Sequence, residues 1–570
     1  MSRRIALFCV IALIFSACSH SKPATNATTE NSVTVRLDGE PDLLNPIIST
    51  SPVSNYVVVG ALGSMLYETL LRDDPQTGRP TEPGLATGYP EISADHLVYT
   101  FTLRNGVKWH DGQPFSADDV LFTMKAAMVQ SVDAAAFRSA FALLADVETV
   151  GPNQIRFRMA KPYWLNDSAL GRDIVPLPKH IYDPTGVLDR YTFAQLKNTK
   201  PDATLEKFAE SFNKHSVNRA PVGTGPFKFE AWRAGQDLVL VRNEDYWGQK
   251  PQLNKIIYKI IIDSTTALAA LKAGNIDFIP KLLPIQSQEQ TDGPAFKANF
   301  SKASYQIPQL AYIAWNESKP FFADRKVRQA LTMLVDRTKV IDAIRRGMGA
   351  VAATPFSPGS PDFDSNIKAW PYDPKQAYRL LDEAGWVDHN GNGVRDKNGV
   401  EFKFEIIAST SNSTARTLMP ILEDEFAKAG ISMTGRQLEL AVFQSTTRDQ
   451  KADAAIGNWS TSLLLDPYQL FDSESARNRG SNYFNFRNPE ADRVMEQARV
   501  EFDPQRRKDL YWKFQEIFNE EQPCTLLYYA TETAAYSLRL KNVTFLHQRP
   551  GYEVSQWSIN PGVNVLTAQK

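Results

Sequence analysis

Between Phe402 and Glu439 the chain changes its apolar period twice: FKFEIIAS reads as a strand, TARTLMPILEDEFAKAG as an amphipathic helix, and ISMTGRQLE as a strand again. Strands joined through a helix build an α/β layer in which the helix covers one face of a sheet. The alternation recurs along the chain. TTALAALKAGNIDFIP is a helix closed by Gly274 and followed by a short strand. From Asp324 onward Val327, Ala330, Leu331, Leu334 and Val335 share one helical face, a core stripe. Asp373-Pro374 opens KQAYRLLDEAGW with an N-cap and a proline at the first helical position. NPEADRVMEQARVEF and PQRRKDLYWKFQEIFNEEQ read as helices, and CTLLYYATETAAYSL as a strand. The 570 residues exceed one ordinary core and predict two or more domains.

The first half carries denser turn punctuation. VTVRLDG (33–39) alternates as a half-buried strand, and VGALGSMLYETLL (59–71) reads as a helix-like run. The strand Val98 to Leu103 meets turns at Asn105-Gly106 and Asp111-Gly112, and Ser116 caps a helix starting near Ala117. Gly223 and Gly225 in PVGTGPF permit tight backbone geometry, and Phe227 to Trp232 and Leu238 to Arg242 follow as a hairpin. The GTG lacks the Gly-Lys-Ser/Thr ending of a phosphate loop and runs into a strand.

Basic and acidic side chains number 63 and 64, so nothing in the charge points to nucleic acid. The N-terminus decides the compartment. Arg3 and Arg4, the apolar run Ile5 to Phe15 and the small pair Ser16-Ala17 form a signal peptide over 1–17. Cys18 follows directly, as in a bacterial lipobox, and is the expected lipidation site; residues 18–31 are polar and small, a flexible tether. The protein is thus expected on the periplasmic side of the bacterial envelope, held to a membrane by its lipid. Cys524 alone remains in the mature body, which excludes an internal disulfide.

Catalytic patterns are missing: there is no HExxH, no GxSxG, no phosphate loop and no dinucleotide fingerprint. His110-Asp111 reads as part of a turn, and Asp118-Asp119 and Glu423-Asp424 as solvated helix faces. The chain is therefore read as no enzyme. The alternatives are an envelope hydrolase using paired carboxylates in a cleft, or a ligand sensor or adhesin.

The succession YETLL (67–71), LRNGVKWHDGQPFSADDVLFTMK (103–125), GTGPFKF (223–229), FADRKVRQAL (322–331) and YDPKQAYRLLDEAGW (372–386) resembles family 5 extracellular solute-binding proteins. These are the peptide- and nickel-binding components of ABC importers. The resemblance implies an α/β, two-lobed periplasmic-binding-protein-like fold of type II, cluster C. It places lobe I at 32–69, 200–305 and 530–570, an inserted subdomain at 70–199, and lobe II at 306–529. Two strands would cross between the lobes, near Tyr305 to Tyr312 and Leu526 to Thr531. It further implies a monomer that captures a peptide or other small solute and delivers it to an ABC permease, with no cofactor required.

In peptide-binding relatives the stretch after a lobe II tryptophan pairs with the peptide backbone, and an aspartate three residues beyond that tryptophan meets the ligand's ammonium group. Here the stretch is GNWSTSLLLDPYQLF, and counting from Trp459 the position is Ser462. A hydroxyl does not replace a carboxylate against a buried ammonium. Peptides are therefore not expected to be held through an aspartate on this strand; a neutral or sugar-like ligand, or a peptide gripped another way, suits it. Asp466 is a distant substitute, though its Asp-Pro context favours a helix cap. Trp459, Ser460, Ser462, Asp466 and Tyr468 are the lobe II candidates, with Tyr56, Leu62, Gly63 and Ser64 facing them from lobe I.

One motif stands apart. In VDHNGNGVRDKNGVEF (387–402) Asp388, Asn390, Asn392 and Asp396 fall at positions one, three, five and nine of an EF-hand-like loop, with Gly393 at six. A structural calcium suits these four residues. Position twelve is Gly399, where such loops carry a bidentate glutamate, and the repeated Asn-Gly pairs equally mark tight turns. A metal-free loop is the favoured reading.

Overall fold

The structure is a computed structural model that describes residues 31–477 and 480–560; the signal peptide, Cys18 and all of the tether but its last residue lie outside the described residues. Eleven strands form one sheet: β1 (Ser32–Leu37), β2 (Phe227–Arg233), β3 (Asp237–Arg242), β4 (Lys255–Ile260), β5 (Phe278–Ile279), β6 (Phe300–Trp315), β7 (Gly349–Val351), β8 (Lys403–Ser409), β9 (Ser432–Leu438), β10 (Ala454–Ser460) and β11 (Cys524–Ser537). Their order is β9-β8-β10-β6-β11-β5-β1-β4-β3-β2, with β7 on β11. The long strands β6 and β11 run antiparallel through the middle, from Phe300 opposite Ser537 to Ala314 opposite Cys524. Their ladder breaks between Gln306 and Leu310. Pro308, which has no N–H to donate, sits inside that break.

On one side of the break β8, β9 and β10 form a parallel layer. Alternation along β6 gives this half two cores. Ala311, Ile313 and Trp315 join one apolar cluster, whereas Leu310, Tyr312 and Ala314 join another on the opposite face. On the other side of the break, β1 to β4 share one continuous core with a four-stranded antiparallel sheet (Glu91–Ile92, Val98–Thr102, Gln154–Met159, Leu144–Gly151) inserted after β1.

The helix Ala117–Met128 opens with the predicted cap: Ser116 and Asp119 exchange side-chain and backbone hydrogen bonds. Asp119 is not on a solvated face, contrary to its sequence pattern. Its carboxylate is 5 % exposed and accepts the backbone N–H groups of Ser116 and Lys179, each at 3.0 Å, together with Trp109 Nε1 at 3.3 Å.

A second expectation fails at 59–71. The helix α1 is Pro52–Val58, and the run after it is a set of buried turns, with Gly60 and Gly63 at φ +73° and +84°. The run is apolar on all sides because the whole loop is buried, so periodicity misreads it. This loop explains the glycines of GTGPF. A Cβ on Gly223 would lie 1.9 Å from the Leu66 carbonyl oxygen, and one on Gly225 would lie 2.2 Å from that of Met65. His110 closes the knot: its Nδ1 accepts the Gly223 N–H at 3.0 Å and its Nε2 donates to the Gly225 carbonyl at 3.0 Å. Burial lowers its pKa to about 4, so the ring is neutral.

The loop 387–402 ends in a hairpin of Asp396–Lys397 with Val400–Glu401, turning at Asn398 and Gly399 with φ +54° and +77°. Asp388 Oδ1 accepts the Gly391 N–H at 2.7 Å and Oδ2 that of Gly393 at 2.9 Å. Asn390 and Asn392 accept the N–H groups of Asn392 and Val394 in the same way. Asp396 holds both the backbone and the ring of His389 at 3.0 Å. Each of the four side chains is thus engaged within the loop.

Candidate functional site

A cavity of about 430 Å³ opens beside the Pro308 break, within the size range of small-molecule sites. Elements from both halves wall it. Asn55 and Tyr56 of α1 contribute one edge, and Thr461, Ser462 and Leu463, which continue from the end of β10, contribute the facing one. The insertion adds Arg172 and Asp173, and the short strand Leu71–Asp73 adds Asp73. Gln548 and Arg549, from the C-terminal segment, complete the polar lining.

Two of the nine candidate residues, Tyr56 and Ser462, line this cavity. Ser460 stands beside it, where its Oγ accepts a hydrogen bond from Arg549. Trp459 is turned away. It is 8 % exposed, stacks on Tyr312 with ring centroids 4.0 Å apart, and meets Phe471 and Phe484 edge-on in the lobe core. That follows from strand geometry, since residues 459 and 460 point to opposite faces. Leu62 and Ser64 line a different cavity, of about 580 Å³, with Arg72, Tyr246, Trp247 and Glu553. Gly63 lies between them in the left-handed region, where a Cβ would meet Thr69 Oγ1.

Asp466 and Tyr468 also lie outside the cavity lining. The Asp466 carboxylate accepts the N–H of Tyr468, which begins the short helix Tyr468–Phe471, and pairs with Arg499 at 3.0 Å. It also accepts the hydroxyl of Tyr163, a residue of the insertion, at 2.8 Å. Asp466 therefore belongs to a contact that ties the insertion to the other half of the molecule. Next to Tyr163, Trp164 is 2 % exposed within the core formed by Tyr511 and Phe514. Its Nε1 donates to Tyr511 Oη at 2.9 Å, its backbone N–H to the Arg499 carbonyl at 3.0 Å, and the Arg507 guanidinium lies 4.0 Å over its ring. His96 stacks on Phe502 nearby, with centroids 3.6 Å apart.

The charges at the cavity went unnoticed in the sequence. Arg172 Nε pairs with Asp73 Oδ2 at 2.9 Å, and its Nη2 donates to the carbonyls of Gly60 and Ala61 at 3.5 and 3.4 Å. Asp173 makes no hydrogen bond or ion pair among the described residues. Its side chain is exposed at the cavity wall. Desolvation by the surrounding protein raises its pKa, with Arg172 opposing the shift and Asp73 adding to it. Three further polar atoms at this cavity have no partner among the described residues: Asp73 Oδ1, Gln548 Oε1 and Arg549 Nε. No pattern in the local sequences DSALGRD or HQRPG marks them, because they meet only through the fold.

The comparisons with known proteins agree with this architecture. The family model described as bacterial extracellular solute-binding proteins, family 5, matches residues 81–481. The chain is 31 % identical to the oligopeptide-binding protein AppA of Bacillus subtilis (strain 168) over 567 residues, covering 97 % of each. It is 30 % identical to heme-binding protein A of Haemophilus influenzae over 485 residues, 81 % of each. The solved structure of the Bacillus subtilis oligopeptide-binding protein in complex with a nonapeptide superposes with a TM-score of 0.71 at 28 % identity, covering 93 % of this chain and 99 % of that one.

Proposed function

Because this chain belongs to the bacterial extracellular solute-binding proteins of family 5, we propose that it captures a peptide between its two lobes and delivers it to the permease of an ABC importer. The observation that carries this reading is the cavity at the Pro308 break. It is walled from both lobes and lined by polar atoms that the protein itself leaves unpaired. A ligand bridging the two walls favours the closed state by the contacts it makes only there. Two antiparallel strands, β6 and β11, are the covalent links on which such closure turns. Two of its relatives carry names that differ in cargo, an oligopeptide and heme, so the peptide assignment rests on the oligopeptide-binding relative with 97 % coverage.

Among the described residues no helix is long and apolar enough to cross a membrane. A lipid on Cys18 keeps the protein at the envelope membrane, where a monomer reaches its permease; fatty-acid labelling that disappears in Cys18→Ser checks that anchor. The loop at 388–396 needs no calcium on this reading, since its side-chain oxygens are satisfied by its own N–H groups.

The test of cargo is mass spectrometry of small molecules released on gentle denaturation, followed by calorimetry with what is found. Release of short peptides that rebind, raise the melting temperature by mass action and are returned intact is the expected result. Turnover of the bound molecule, or release of a non-peptide that alone rebinds, overturns it.

A further inference from the structure

We infer that Asp173 selects the cargo by receiving a primary ammonium, from an amino terminus or a lysine side chain, on the insertion's wall of the cavity. The inference rests on the cavity being the cargo site. Of the four charged side chains there, Arg172 and Asp73 neutralise each other at 2.9 Å. Arg549 is already engaged with the Ser460 hydroxyl. Asp173 alone presents a carboxylate with no hydrogen bond or ion pair among the described residues. An exposed carboxylate left without a partner on a cavity wall is free to pair with a cation that enters the cavity.

The other unpaired atoms specify the same chemistry. Asp73 and Gln548 are 8 % and 9 % exposed, and each leaves an acceptor oxygen unused at this cavity. A primary ammonium carries three N–H donors and no acceptor. Asp173 is the charged acceptor on the cavity wall, with Asp73 Oδ1 and Gln548 Oε1 as unpaired acceptors just behind it. An unused donor, Arg549 Nε, suits a carbonyl or carboxylate on the same molecule. Ser462 supplies only a hydroxyl on the facing wall, so charge recognition falls to the insertion.

The experiment compares wild type with Asp173→Asn by thermal shift and calorimetry. Three pools of short peptides serve as probes: lysine-free with a free amino terminus, lysine-free and N-acetylated, and N-acetylated containing lysine. Wild type is expected to bind at least one amine-bearing pool about ten-fold more tightly than the amine-free pool. Whichever amine-bearing pool it is names the source of the ammonium. Asp173→Asn is expected to bind all three alike, with a ligand-free melting temperature close to wild type, since the exposed side chain has no hydrogen bond or ion pair to lose among the described residues. Equal binding of amine-bearing and amine-free pools by wild type overturns the inference and leaves the peptide reading standing. An amine preference retained in Asp173→Asn does the same. Binding of none of the pools overturns both.

Discussion

His110 shows how one side chain in a shared motif earns its place without chemistry. It is the acceptor for Gly223 and the donor to Gly225, and it does both only as a neutral ring. Its folded pKa of about 4 lies below the ordinary 6.5. Between those values the unfolded chain binds the extra proton, so the stability His110 contributes is present above pH 6.5 and is lost as pH falls toward 4. The full loss is on the order of 3 kcal/mol. His110→Gln should therefore lower the urea midpoint at pH 7 and cost progressively less as pH approaches 4; a cost independent of pH would refute this account. Asp173 titrates in the opposite sense, because its raised pKa makes the folded state bind a proton first as pH falls. The sequence placed His110 in a turn, as found, but its partners lie 113 and 115 residues away and only the fold unites them.

At the scale of elements, what is local was legible. Ser116, Asp324 and Asp373 each accept the first N–H groups of the helix they precede, because an N-cap needs only a short polar side chain and the next turn. The Asn398-Gly399 turn was readable for the same reason. The run at 59–71 was not, since a buried loop and a helix have the same apolar content and differ only in where the glycines turn. Asp119 was misread because its partners Lys179 and Trp109 lie outside its own helix. The loop at 387–402 yields a direct test. Asp388→Ala removes two acceptors of backbone N–H groups and should lower the melting temperature, by the same amount in calcium and in chelator. A melting temperature that rises with calcium in wild type and not in the variant would assign the ion to this loop.

For the whole molecule, the partition of cores is the decisive feature. The insertion shares one continuous core with lobe I, yet Trp164 at its end is buried in a core of lobe II. An opening that separates the insertion from lobe II would pull that indole out. Burial of a tryptophan removes roughly 200 Å² from water, worth about 5 kcal/mol at 25 cal/mol per Å², before the hydrogen bonds to Tyr511 and Arg499 are counted. Trp164→Ala should enlarge the radius of gyration of the cargo-free protein in X-ray scattering and weaken cargo binding through a reduced closed fraction. An unchanged scattering curve would show that this contact does not hold the lobes together. The α/β solute-binding fold was legible from spaced motifs, whereas this contact was not, because Tyr163-Trp164 and Arg499 are far apart in sequence and neither segment carries a motif.

The socket of Trp164 also makes the protein its own optical gauge. An indole that moves from a dry pocket beneath Arg507 into water changes its emission wavelength. Subtracting the spectrum of Trp164→Phe from that of wild type isolates this one signal among the ten tryptophans. The difference follows each opening in real time, without a label.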